Sequence, residues 1–236
     1  MATEKKTQNA TIDALFSVGA HFGFAKSRRH PSTTPFIFGA KNKVEIFDLE
    51  KTEVSLTKAL DFVKEIGKKK GSILFVGGKN EAKGAIEKGA TSINQPYVNG
   101  RWIGGTLTNF PEIKKRVAKM EDLMSQKEKG ELVKYTKKER LLIDRDVAKM
   151  HKMFSGIVVM KGMPQALFIV DPRQETTAVK EAKTLNIPVI SLSGSDCDLK
   201  DSTYPIPGND SAKASIEFFV AQIVEAYKAG TLQVEG

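Results

Sequence analysis

The chain has 236 residues, 40% of them hydrophobic, enough for a real core in one large domain or in one domain with an insertion. Its 37 Lys and Arg outnumber 28 Asp and Glu, a formal charge of +9. That excess favours a polyanionic partner, because each neutralised phosphate releases condensed counterions. One cysteine, Cys197, excludes an internal disulfide and a cysteine-based zinc site, and no apolar run has the length of a membrane span.

Residues 1–10 are polar, lack the apolar core of a secretory signal and read as a disordered lead-in. Ile12, Leu15, Phe16 and Ala20 recur at helical spacing, so a short helix is expected before His21. From His21 to Lys43 there are five cations and no acid. Pro31 and Pro35 break helices, and the segment reads as an extended basic loop entering a strand near Val44 to Phe47. Thr52 to Lys68 has the apolar side of an amphipathic helix, stopped at Lys68-Lys69-Lys70-Gly71. Ser72 to Val76 is a buried strand. Gly77-Gly78 turns into a helix over Asn80 to Ala90, and Tyr97-Val98 is a short strand.

The next stretch, Asn99 to Pro111, holds the only Trp, three Gly, one Arg, two Asn and no acid. Its flat ring, forked cation and amide groups suit stacking, phosphate pairing and hydroxyl contacts. A structural loop with one anchoring Trp is the competing reading. Asn109 and Pro111 suit a helix start. Ile113, Val117, Met120 and Leu123 or Met124 make one apolar seam. Gly130 interrupts, and Thr136-Lys137-Lys138-Glu139 matches a capping box that opens a second helix. Phe110 to Phe154 thus reads as an antiparallel helical hairpin, with thirteen Lys/Arg against eight Asp/Glu. Strand, helix and strand follow at Ala166–Val170, Thr176–Leu185 and Pro188–Leu192, with a closing helix over Ser211 to Lys228.

Strands alternating with helices predict an α/β fold with a parallel sheet covered on both faces. The expected organisation is a discontinuous α/β domain (11–109 and 155–229), a hairpin (110–154) and a tail (230–236).

No catalytic constellation is expected. Phe75-Val76-Gly77-Gly78-Lys79 lacks the spacing of a Walker loop and the full dinucleotide fingerprint. His21, His30 and His151 share no helix face at metal spacing, and Ser193-Gly194-Ser195 is no nucleophile elbow. Asp196, Asp198 and Asp201 read as a solvated acidic loop rather than a cation site. No cofactor and no metal are predicted. Two other classes stay open: a nucleotide- or sugar-phosphate-binding enzyme on the same sheet, and a protein-only scaffold docking through the hairpin.

Seven blocks stand in register along the chain: His21-Phe22-Gly23, Pro35 to Lys43, Ile73 to Gly77, Gly100 to Asn109, Pro164 to Asp171, Asn186 to Val189, and Ile206 to Asp210. In this order and spacing the chain resembles the family of the second protein of the bacterial small ribosomal subunit, from about Ile12 to about Tyr227. The resemblance implies a flavodoxin-like parallel sheet flanked by helices, with a protruding coiled-coil hairpin. It also implies a structural role in the small subunit, binding to small-subunit ribosomal RNA, and docking of the large messenger-binding ribosomal protein beside other small-subunit neighbours, in the cytoplasm. Members often read His-Phe-Gly-His where this chain has Phe24, and carry an Asp aligned with Gly194; an ion site built from those positions is not expected here.

The expected RNA contacts fall into groups. Lys26, Arg28 and Arg29 serve the early loop, and Lys41, Asn42 and Lys43 the entry to the sheet. Arg101, Trp102, Thr106, Thr108 and Asn109 engage RNA or pin the base of the hairpin. Lys114, Lys115, Arg116, Lys137 and Lys138 supply hairpin cations.

Overall fold

A computed structural model describes residues 11–233; the expected lead-in, residues 1–10, lies outside them, as do residues 234–236 of the tail. A helix over residues 11–17 (α1) precedes three short strands, β1 (Phe22–Ala25), β2 (Ile37–Lys41) and β3 (Val44–Phe47). These form an antiparallel sheet in the order β1-β3-β2. Two of its strands, β1 and β2, fall where the sequence pattern suggests loop. The hairpin between β2 and β3 turns on Asn42 and Lys43, both at positive φ (53° and 66°), without the glycine that normally advertises such a turn. Pro31 and Pro35 fall in a 3-10 turn, Pro31–Phe36, that bridges the two outer strands.

The main sheet holds β4 (Ile73–Val76), β5 (Tyr97–Val98), β6 (Ala166–Val170), β7 (Val189–Ser193) and β8 (Tyr204–Pro207), all parallel, in the order β5-β4-β6-β7-β8. Counted along the chain that is the 2-1-3-4-5 order of flavodoxin-like folds. β8 escapes a reading of the sequence because Pro205 and Pro207 argue against a strand; they are tolerated at an edge, where one side of the ladder needs no donor.

Helices α2 (Leu49–Lys68), α3 (Asn80–Ser92) and α7 (Lys213–Leu232) cover one face. Leu56, Val63, Phe75, Phe168, Ile206 and Phe219 form its core. α2 and α7 cross at Gly67 and Gly230, where a Cβ on either would strike the backbone of the opposite helix. The bend out of α2 uses Lys70 at φ 49°, not Gly71. The other face is covered by α6 (Thr176–Thr184) and by the base of α4 (Phe110–Glu128) and α5 (Lys137–Phe154). Here Leu74, Leu167 and Ile169 of the sheet meet Ile113, Val117, Met120 and Phe154.

The pair α4–α5 stands where a single crossover helix would link β5 to β6. The predicted capping box is formed: the Thr136 side chain accepts from the Glu139 amide, and the Glu139 carboxylate accepts from the Thr136 amide. Lys127 of α4 reaches Asp144 of α5 at 2.6 Å, which places the helices side by side and antiparallel.

Candidate nucleic-acid interface

The small sheet is fastened to the loops after β7 and β8. The Phe24 amide donates to Ser195 Oγ at 2.8 Å, the His30 amide to the Ser195 carbonyl at 2.8 Å, and the Asn209 side chain to the Gly19 carbonyl at 3.0 Å. Within it, Ala25 and Lys41 both lie opposite Val44. That register brings the turn carrying Lys26 and Arg28 to the same end as the tip formed by Lys41, Asn42 and Lys43. All five are exposed, and Lys26, Arg28, Lys41 and Lys43 make no ion pair among the described residues. The Arg28 guanidinium lies 5.7 Å from the centre of the Phe24 ring.

Arg29 is different. It turns inward and donates to Glu45 at 3.0 Å. Glu45, 1% exposed, is the sole acid between residues 21 and 47, and its second oxygen has no hydrogen-bond partner among the described residues. Arg29 therefore neutralises a buried carboxylate and leaves the set of phosphate contacts. Nothing in the local sequence marks Glu45 for this place.

The loop after β5 is also turned inward. Trp102 is 7% exposed and Thr106 is buried, which removes both from an RNA-facing surface. The organiser is Glu181 of α6. Its carboxylate accepts from Trp102 Nε1 (3.0 Å), from the amides of Gly105 (2.8 Å), Leu107 (3.0 Å) and Thr108 (3.2 Å), and from Thr108 Oγ1 (3.3 Å). Burial pushes the Glu181 carboxyl up, but these donors outweigh it and hold its pKa below the ordinary value. The sequence carries a signal for it: Glu181 shares its helix face with Ala178 and Ala182, an acid on an apolar stripe. Arg101 and Asn109 remain exposed, and Thr108 is exposed but bonded to Glu181. Asn109 is the N-cap of α4 without a side-chain cap bond.

The hairpin cations Lys114, Lys115 and Arg116 of α4 and Lys137 and Lys138 of α5 are all exposed, while Ile113, Val117 and Met120 of α4 are buried. Lys115 is drawn to Glu112 at 2.6 Å. The predicted residues thus do not converge on one site. The early group sits beside β7 and β8, and the Trp102 loop leaves β5 at the opposite edge of the main sheet.

The crevice outside the carboxyl ends of β4 and β6, where this fold class takes nucleotides, is about 500 Å³ and lined by Gly78, Arg101, Trp102 and Glu175. The Gly78 amide, which a phosphate would need, donates to Glu175 at 3.2 Å instead. Deeper in, Lys79 Nζ lies 2.7 Å from Asp171 and 2.8 Å from Asp210. Burial pushes Asp210 up to about 6 in spite of Lys79. Cys197 adjoins these carboxylates, and burial with their negative charge raises its thiol pKa well above the ordinary value. The lysine already fills the place a cation would take between Asp171 and Asp210. Phe24 and Gly194 are in register here: a Cβ on Gly194 would press on both the Phe24 ring and Asp210. The nearby acids are separately engaged, Asp196 by Arg173 and Asp201 by Lys183, while Asp198 faces His30.

The fold and these faces define a doubly wound α/β protein with a helical hairpin in place of one crossover helix. The model of the ribosomal protein S2 family matches residues 15–230. A protein of Roseiflexus sp. (strain RS-1) described as small ribosomal subunit protein uS2 is 42% identical over 224 residues, 95% of this chain and 86% of its own. The protein so described in Solidesulfovibrio magneticus is 40% identical over 223 residues, 94% and 86% of the two chains. That of Chloroflexus aurantiacus (strain ATCC 29366 / DSM 635 / J-10-fl) is 37% identical over 233 residues, 99% and 98%. The chain belongs to the ribosomal protein S2 family. It is accordingly a structural protein of the small ribosomal subunit, serving translation, and not an enzyme.

Proposed function

We propose that this chain binds small-subunit ribosomal RNA through Lys26, Arg28, Lys41 and Lys43, with Asn42 at the same tip and Arg101, Thr108 and Asn109 as a separate, smaller contact. One observation carries the reading: the single acid of residues 21–47 is buried on Arg29, so four cations stand at one end of a small sheet with no ion-pair partner among the described residues. Phosphates neutralise such a surface and fix the orientation of the protein, while the fit of loops selects the site.

The hairpin, residues 110–154, is inserted in the α/β domain of residues 11–109 and 155–229 with its base packed on the sheet, and it docks neighbouring small-subunit proteins, including the large messenger-binding one. Supporting this, Val133, Leu141 and Leu142 leave apolar surface exposed near its tip, flanked by Lys137 and Arg140. Lys114, Arg116 and Lys138 are secondary RNA contacts. The site of action is the ribosome in the cytoplasm; among the described residues no helix is long and apolar enough to cross a membrane.

The test is co-sedimentation with small subunits in a bacterium depleted of its own copy, comparing wild type with Lys26→Ala/Arg28→Ala/Lys41→Ala/Lys43→Ala. The variant is expected in the free pool. Its RNA affinity should have a salt slope lower by roughly 0.7–0.9 for each phosphate that the variant no longer neutralises. Wild-type co-sedimentation and an unchanged slope in the variant would overturn the assignment of these cations. Assembly indifferent to salt would favour protein-only docking.

A further inference from the structure

We propose that the outward face of the β1-β3-β2 sheet is a stacking platform for unpaired nucleotides of RNA, with Phe38 as its principal ring and Phe22 as the second. The proposal rests on the RNA-binding reading above and adds what cations alone do not specify, namely single strand rather than duplex.

Residues opposite one another on paired strands share a face. Phe22 and Gly39 lie opposite Ile46, and Ala25 and Lys41 lie opposite Val44. Glu45 and Phe47, between and beyond these positions, are buried against the domain. Phe22, Val44, Ile46 and Lys41 therefore share the outward face. Ile37 lies opposite Phe47 on the inner face, and the register then slips before Gly39. Phe38 is the residue inserted at that bulge. Phe38 is 82% exposed, the most exposed large hydrophobic among the described residues; Phe22 is 49% exposed, with its ring 4.0 Å from that of His21 between centroids. Bulges re-aim side chains in this way, commonly beside functional sites. A Cβ on Gly39 would meet nothing within 4 Å, so no internal packing requires the glycine; it leaves flat, open ground beside the ring.

The rim is cationic. Lys26, Arg28, Lys41 and Lys43 stand together at the Val44 end of the face, Phe22 and Phe38 lie toward its Ile46–Phe47 end, and no exposed acid lies between residues 21 and 47. The tip carrying two of the lysines is held in left-handed backbone at Asn42 and Lys43, a conformation that non-glycine residues adopt at a cost. Rings beside a cluster of cations that have no ion-pair partner among the described residues match an unpaired strand, whose bases stack while its phosphates pair. A duplex offers phosphates but no free base faces and would leave Phe38 uncovered.

The experiment measures binding of the full chain to an unpaired 12-nucleotide RNA of mixed sequence and to the same sequence as a duplex. It compares wild type, Phe38→Ala, Phe38→Trp and Lys41→Ala/Lys43→Ala, with circular dichroism confirming that each variant folds. Phe38→Ala should weaken binding of the unpaired strand about 5- to 100-fold, with the duplex affinity and the salt slope unchanged. Phe38→Trp should retain affinity, and its added emission, separable from buried Trp102, should be quenched by the unpaired strand. If Phe38→Ala binds the unpaired strand like wild type while the lysine pair weakens it, the platform fails and the RNA-binding reading stands. If neither variant changes binding, both fail. Loss of subunit incorporation or of binding to anionic vesicles on Phe38→Ala, without a change in RNA affinity, would instead assign the face to a protein or a membrane surface and overturn the proposal.

Discussion

The Trp102 loop and the β2–β3 hairpin are made of similar residues: an aromatic ring, glycine, Asn and unopposed cations. One is turned into the protein and the other out of it. The difference is a carboxylate. Glu181 gathers five donors of the Trp102 loop and pins it against α6. The acid within the hairpin, Glu45, is already claimed by Arg29. Residue type therefore says what a segment can contact, while the position of one buried acid decides whether those contacts are made inside the chain or left for a partner.

Removing the organiser should have the largest effect. Glu181→Gln loses charge-assisted acceptance and presents an amide to several donors, a cost of about 3 kcal/mol. For a chain of this size that lowers Tm by roughly 6–12 °C. Thermal unfolding with Trp102 emission as probe checks it; a variant as stable as wild type would remove Glu181 from this role. The same carboxylate sets a pH dependence. Its folded pKa lies below the unfolded one, so its contribution is complete above about pH 4.5 and is lost as the pH falls through the folded value. Glu181→Gln should flatten that part of the stability profile.

Next is Arg29→Ala, which strands Glu45 as a buried, unpaired charge. A loss of about 2–4 kcal/mol is expected in denaturant unfolding, whereas Arg28→Ala, one residue away, should stay within about 0.5 kcal/mol of wild type. Equal effects would erase the distinction between inward and outward cations. Trp102→Phe keeps the ring packing but removes the indole donor to Glu181, for about 1 kcal/mol by the same measurement. The smallest effect has the opposite sign. Lys43→Gly relieves left-handed backbone at φ 66° and should gain about 1 kcal/mol or less while weakening RNA binding. A loss of stability would show that Lys43 is held by contacts rather than strained.

Much of the main domain can be read from its sequence. Ile73–Val76 and Ala166–Val170 are unbroken apolar runs because both faces of a parallel sheet are covered, and they emerge as β4 and β6. Thr136 and Glu139 mark a helix start through local bonds alone, and the cap is formed. The seven blocks in register identify the family because they preserve order and spacing over nearly the whole chain. Of the small sheet only β3 is legible; β1 and β2 are not, because the turn lacks glycine and the strands are short and irregular in register. Nor is β8, whose prolines are acceptable only at an edge that sequence does not reveal.

The candidate interface divides in the same way. Charge and composition by themselves pointed to a polyanionic partner and offered Lys26, Arg28, Arg29, Lys41 and Lys43 alike as its contacts. Only the tertiary structure decided that Arg29, Trp102 and Thr106 face inward and that Phe38 faces out. Local propensity acts between neighbours along the chain. Glu181 meets Trp102 across 79 positions, and the pairing that turns Phe38 outward depends on a one-residue slip between strands. Burial of a charge is settled by the partner it finds in space, and that partner is not written beside it in the sequence.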